Sequence, residues 1–175
     1  MDPAGRYSQV MFDFAPSSPA DTPAGKATLY ADLIFAAGAV MKGERDAIAN
    51  MANVAALIWQ FLPDLNWAGF YRHVDGELVL GPFQGKPACI RIPVGRGVCG
   101  AAAATLETQL VADVHAFPGH IACDAASASE IVVPVVRDGK LLAVIDLDSP
   151  TPARFDTQDA QGLERLAASV AEALS

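Results

Sequence analysis

The 175-residue chain suits one globular domain, large enough to bury roughly 70% of the surface its unfolded form exposes, so neither a metal nor a disulfide is needed to hold it together. Hydrophobic residues at 52% and charged residues at 18% exclude a disordered or fibrous protein, and twenty acidic against twelve basic side chains (formal charge -8) repel a phosphate backbone and disfavour nucleic acid as a partner. No apolar run approaches the ~20 residues that span a bilayer, and no basic segment followed by an apolar one opens the chain, so a cytoplasmic protein away from membranes is expected.

Residues 1–25 carry Pro3, Pro16, Pro19 and Pro23 with Ser17, Ser18 and two glycines, and read as an irregular arm ahead of a domain over 26–175. From Lys26 the spacing of Leu29, Leu33, Ala36 and Ala37 predicts a helix that Gly38 and Gly43 weaken or end. A second helix is expected from Asp46 to Phe61, with Ile48, Met51, Ala52, Ala55, Ile58 and Trp59 on its core side, stopped by Pro63. Strand signals follow at Trp67 to His73, at Leu78 to Phe83 after the turn Val74-Asp75-Gly76-Glu77, and at Cys89 to Ile92 before Pro93. Val98 to Ala104 reads as a short helix opened by Gly95-Arg96-Gly97, a loop too short and unspecific for a phosphate cradle.

Thr108 to Val111 is another short strand. Ala112 to Ser129 shows no period, and an irregular stretch of that length inside a small domain reads as a functional loop. Glu130 to Val136 and Lys140 to Asp148 form a hairpin turning at Arg137-Asp138-Gly139. The last helix follows Phe155, with Asp156 as N-cap, Asp159 completing a capping-box-like pair, and Leu163, Leu166, Val170 and Leu174 as its buried stripe. Helices at both ends and strands between them predict an α+β domain: a central antiparallel sheet, helices on one face, and a site on the other.

The hairpin has two registers. A two-residue Asp138-Gly139 turn pairs Arg137 with Lys140 and sets Glu130 across from Leu147; a three-residue loop with Gly139 left-handed pairs Val136 with Lys140. In the second, Glu130 lies opposite Asp146 and diagonal to Asp148, and the other face carries only Ile131, Val133, Val135, Leu141, Ala143 and Ile145. The first would set Asp146 and Asp148 beside Ile131 and Val133, so the second is favoured. Three carboxylates then meet at one end of the sheet. They read either as solvated acids at a strand end or as a site in which crowding and burial raise at least one pKa.

Cys89, Cys99 and Cys123 sit in or beside irregular segments. Three is too few and too odd a number for a disulfide scaffold. Cys99 opens the Val98 to Ala104 helix, where the macrodipole favours a thiolate, and helix logic alone makes it a candidate nucleophile. Cys123 lies late in the long loop beside His120, near enough in sequence to the Glu130 strand to meet the carboxylates. Cys99, His115, His120 and Cys123 have the softness zinc requires, but no pair has the close spacing of a structural site, and no metal or other cofactor is expected.

The segments Leu65-Asn66-Trp67-Ala68-Gly69-Phe70-Tyr71, Gly81-Pro82-Phe83-Gln84-Gly85-Lys86-Pro87-Ala88-Cys89 and Gly95-Arg96-Gly97-Val98-Cys99-Gly100 resemble those of the free methionine-(R)-sulfoxide reductases, enzymes built on a GAF domain. Asp113-Val114-His115, Phe117-Pro118-Gly119-His120-Ile121-Ala122-Cys123-Asp124, Ser129-Glu130-Ile131-Val132 and Asp146-Leu147-Asp148-Ser149 extend the resemblance from about Lys26 to the C-terminus. The resemblance implies a GAF-like fold and thiol-dependent reduction of the free amino acid. It makes Cys123 the nucleophile in place of Cys99, Cys89 the resolving thiol, Cys99 an auxiliary cysteine, and thioredoxin the reductant. It places Glu130, Asp146 and Asp148 in the substrate site and Trp67 and Tyr71 as its aromatic wall, and leaves a homodimer open.

Residue chemistry fits this. A sulfoxide sulfur is a poor electrophile until its oxygen is protonated, and a carboxylic acid held neutral near pH 7 supplies that proton. The remaining carboxylates pair with an ammonium group that a peptide-bound methionine lacks. Trp67 and Tyr71, four apart on a strand, share a face and enclose a methyl group. Two rivals stand beside this reading: a non-enzymatic GAF sensor of a small ligand, which would not need the cysteines, and a redox sensor whose disulfide alters partner binding.

Overall fold

A computed structural model describes residues 13–17, 22–119 and 125–174. Helix α1 (Pro23–Met41) begins three residues before the Lys26 start expected from the apolar spacing, because Thr22 caps it through its side chain and Pro23 occupies a first-turn position where no N–H is missed. Ala24–Met41 is long and apolar enough by length and composition to cross a membrane. Its Leu29, Tyr30, Leu33, Ala36, Ala37 and Met41 are instead buried in the core.

Helix α2 (Ala47–Phe61) begins one residue after the expected start at Asp46, which instead caps it by accepting from Ala49 N. Its core side differs from the expected one: Met51, Val54, Ala55, Leu57, Ile58 and Phe61 are buried, whereas Ile48, Ala52 and Trp59 face outward, Trp59 at 40% exposure. Apolar residues also occur outside the buried stripe, at Ile48, Ala52 and Trp59, so its neighbours rather than its own pattern select the buried face.

Strands β1 (Trp67–Val74), β2 (Glu77–Gly85) and β3 (Arg91–Pro93) lead to helix α3 (Gly97–Thr105), strand β4 (Gln109–Val111) and a 3₁₀ turn at Val114–Ala116. Strands β5 (Ser129–Arg137) and β6 (Lys140–Ser149) precede helix α4 (Thr157–Ala173). The six strands form one antiparallel sheet in the order β3-β2-β1-β6-β5-β4. Strand β3 starts at Arg91, leaving Cys89 in the connection before it.

One face of the sheet is covered by α1, α2 and α4 over Phe70, Ile131, Val133, Ile145 and Leu147. The other carries a smaller cluster of Trp67, Tyr71, Leu78, Ile92, Val132 and Val144 closed by Val98, Cys99 and Ala102 of α3.

The hairpin corrects the expected register. Arg137 pairs with Lys140 and Val136 with Leu141, so the turn is the two-residue Asp138-Gly139, with both residues left-handed (φ 51° and 73°). An irregularity between Val135 and Val136 then shifts the ladder by one residue, so that Val135 pairs with Ala143 and Glu130 with Asp148 rather than Asp146. The bulge restores the facing that the tight turn alone would have reversed. The acids therefore lie on the expected face with different partners.

Helix α4 has the full capping box, Asp156 accepting from Asp159 N and Asp159 from Asp156 N. Asp159, buried, also accepts from Tyr30 Oη at 2.9 Å and pairs with Lys26 at 2.8 Å, which fixes α1 against α4. The Tyr30 ring lies flat over Gly162: a Cβ there would come within 2.3 Å of its Cγ. Gly162→Ala is therefore expected to lower the unfolding free energy by about 2 kcal/mol despite the better helix propensity of alanine. Urea denaturation checks this, and an unchanged midpoint would show that Tyr30 is free to move aside.

Candidate active site

The sheet register assembles the site. Trp67 pairs with Asp148 and Gly69 with Asp146 across β1 and β6, while Val132 faces Asp146 and Glu130 faces Asp148 across β5 and β6. Strand alternation points Glu130, Asp146, Asp148, Trp67, Gly69 and Tyr71 to the α3 side of the sheet. All three expected acids are thus brought together. Glu130 and Asp146 are buried and Asp148 is partly exposed.

Burial is the first cause of the electrostatics here. It raises the Glu130 carboxyl well above its ordinary 4.5, and the negative charges of Asp146 and Asp148 raise it further. Asp146 is pushed up to about 7 by burial, against hydrogen bonds from Cys99 and Glu130 that lower it. The direction is clear: Glu130 holds its proton and donates it to Asp146. Asp146 Oδ1 is buried and has no hydrogen-bond partner among the described residues, which leaves it an unused acceptor within the acid cluster.

Cys99 Sγ and an oxygen from each of Glu130 and Asp146 lie within 4.8 Å of one another, close enough to share a cation. A protonated Glu130 and a neutral thiol are donors rather than metal ligands, so the trio suits a shared proton better than a resident metal.

Trp67 and Tyr71 stack at 5.8 Å between ring centroids and 24° between planes. Gly69 lies between them on the same face, and a Cβ there would meet Phe83 Cβ at 2.4 Å. Phe83 extends the stack, 5.2 Å from Trp67 and inclined by 13°. Sequence reasoning placed Phe83 in a strand without giving it a site role. Its only signal was an aromatic residue close to the Gly85 turn, and a shift in the β1–β2 ladder between Gly69 and Tyr71 obscures its facing.

The cysteines separate by environment. Cys99 is a free, buried thiol raised well above its ordinary value, first by burial and then by Asp146 and Glu130. This corrects the helix-based expectation: loss of solvent and two carboxylic groups outweigh the dipole of a nine-residue helix, and the thiolate is disfavoured. Cys89 is half-buried between β2 and β3 and is disulfide-bonded. Cys123 and His120 lie outside the described residues.

Comparison with known proteins gives a consistent result. The family model described as GAF domain matches residues 49–175. The free methionine-R-sulfoxide reductase of Escherichia coli K12 is 53% identical over 150 residues, covering 86% of this chain and 91% of that protein. The enzyme of the same description from Saccharomyces cerevisiae is 45% identical over 150 residues, 81% of this chain and 83% of that one. Among solved structures, free methionine-R-sulfoxide reductase from Neisseria meningitidis in complex with its substrate superposes with a TM-score of 0.84 at 44% identity, covering 94% of this chain and 95% of that one.

Proposed function

From the premise that the chain belongs to the GAF-domain free methionine-(R)-sulfoxide reductases, we propose that it reduces free L-methionine (R)-sulfoxide to methionine through a cysteine sulfenic acid and a disulfide recycled by thioredoxin. The observation that carries this reading is the buried, proton-sharing Glu130–Asp146 pair facing the Trp67–Tyr71 wall.

In this mechanism Asp146 Oδ1 and Asp148 accept the substrate's ammonium group, and the methyl group lies against Trp67 and Tyr71. Glu130 donates its proton to the sulfoxide oxygen as the Cys123 thiolate attacks sulfur. In the resulting sulfur–sulfur adduct the protonated oxygen passes to Cys123 Sγ: the substrate's S–O bond and the new S–S bond break as the Cys123 S–O bond forms. Methionine leaves with the two electrons the thiol gives up, and Cys123 becomes a sulfenic acid. The Cys89 thiol then displaces that oxygen as water and forms the Cys89–Cys123 disulfide. Thioredoxin's two thiols reduce it, ending as a disulfide themselves. The disulfide at Cys89 and the free thiol at Cys99 support this division of labour. A cytoplasmic site of action, where thioredoxin is kept reduced, belongs to the same proposal.

Turnover tests the function. With a dithiol present, many equivalents of methionine per protein are expected from the free (R)-sulfoxide, and none from the (S)-epimer or from a peptide-bound sulfoxide. Stoichiometric thiol oxidation without turnover would instead favour a redox sensor. Cys89→Ser is expected to release one equivalent of methionine and then to stall with thioredoxin as sole reductant. Sustained recycling in that variant would remove Cys89 from its role.

A further inference from the structure

The Trp67 ring is stacked against both Tyr71 and Phe83, and these two contacts restrict the direction of its indole N–H. That N–H donates to the backbone carbonyl of Lys86 at 3.1 Å. Lys86 lies three residues before Cys89, in the connection between β2 and β3. At the far end of this connection Leu80 N donates to Ile90 O at 2.9 Å. Cys89 thus sits on a short span pinned at both ends, once by a strand backbone and once by a side chain of the aromatic wall.

Gly85 permits the first pin. Its φ is +121°, and a Cβ would approach Asn66 O to 2.7 Å and Trp67 Cδ1 to 2.9 Å, so a residue with a side chain cannot bring the backbone this close over the indole.

We propose that the Trp67 indole N–H is a positioning group for the resolving thiol: the ring that walls the substrate also holds the Cys89 span in place for attack on the sulfenic acid. This rests on the reading of Cys89 as the resolving thiol. The step it assists is closure of the Cys89–Cys123 bond, in which the Cys89 thiol loses its proton, the Cys123 S–O bond breaks and water leaves. The bond to Lys86 is present in the form in which Cys89 is disulfide-bonded, so the pinned geometry is compatible with the product of that step.

Two variants separate the pin from the wall. Gly85→Ala forces the backbone off the indole while leaving the ring in place. Trp67→Phe keeps an aromatic ring in the stack and removes the donor. Because Trp67 also walls the substrate, the quantity read is the rate of disulfide closure relative to the rate of methionine release in a single round. Both variants are expected to lower this ratio about tenfold, as loss of one fixed hydrogen bond implies. The lingering sulfenic acid at Cys123 should become trappable by dimedone.

A wild-type ratio in both variants, with Cys89→Ser still accumulating the dimedone adduct, would overturn the positioning role and leave the reading of Cys89 intact. If Cys89→Ser accumulates no adduct, Cys89 is not the resolving thiol and the proposal falls with that reading.

Discussion

Cys123→Ser is expected to release no methionine even in a single round with excess sulfoxide, a loss to below about one-thousandth of the wild-type first-step rate. The reason lies in what the other two sulfurs can do. A thiol must ionise to attack, and Cys99 is buried beside two carboxylic groups that oppose the negative charge. Cys89 sits on the β2–β3 connection, packed against the cluster that holds Trp67 and Tyr71, and is assigned to the second step. Serine at 123 is similar in size to cysteine but is far too weak a nucleophile toward sulfur without a strong base. The check is quenched-flow quantification of methionine against protein, before any reductant is added. One full equivalent from Cys123→Ser, or abolition of the first round by Cys99→Ser instead, would place the nucleophile elsewhere.

How far the site was legible depended on which physical cue carried each part. The acids were legible because alternation over residues 130–135 and 143–148 leaves Glu130, Asp146 and Asp148 on one face and only apolar side chains on the other, and the core cannot accept the reverse. Leu141, beyond the bulge, falls on the α3 side and not on the expected one. Their partners were not, because a bulge leaves no mark on composition: Leu142, the extra residue beside Val135 and Val136, is as apolar as its neighbours. Asp138-Gly139 did carry a local signal for the tight turn, and the demand for correct facing was met by the bulge instead of by a longer loop.

The capping box of α4 was read correctly since it depends on two side chains three residues apart. The outward face of Trp59 was not, since α2 carries apolar residues beyond its buried stripe and α1, α4 and the sheet decide what is covered. The pin on Lys86 was invisible because its acceptor is a backbone carbonyl, and Gly85 gave the only hint of close approach.

Glu130→Gln is expected to slow the first step about 10²- to 10³-fold while changing substrate binding far less. Glutamine keeps the size and one donor but cannot give up a proton to the departing oxygen. In the wild type the Glu130–Asp146 pair retains a proton near neutrality because burial and mutual repulsion oppose the second negative charge. The first-step rate should therefore rise with thiolate formation and then fall as pH passes the point where that proton is lost; in Glu130→Gln the alkaline fall should vanish. The same burial acts on stability with a definite sign. A carboxyl raised in the folded state binds a proton that the unfolded chain has already released, so its contribution is complete below about pH 4 and is lost as pH rises through the folded value, about 7 for Asp146. Glutamine at 130 has no proton to take up on folding, so the variant escapes this loss and should be more stable than the wild type at pH 8 and close to it at pH 5 in urea denaturation. A variant with a wild-type alkaline limb and no gain in stability at pH 8 would mean that residue 130 is neither the proton donor nor a carboxyl that takes up a proton on folding.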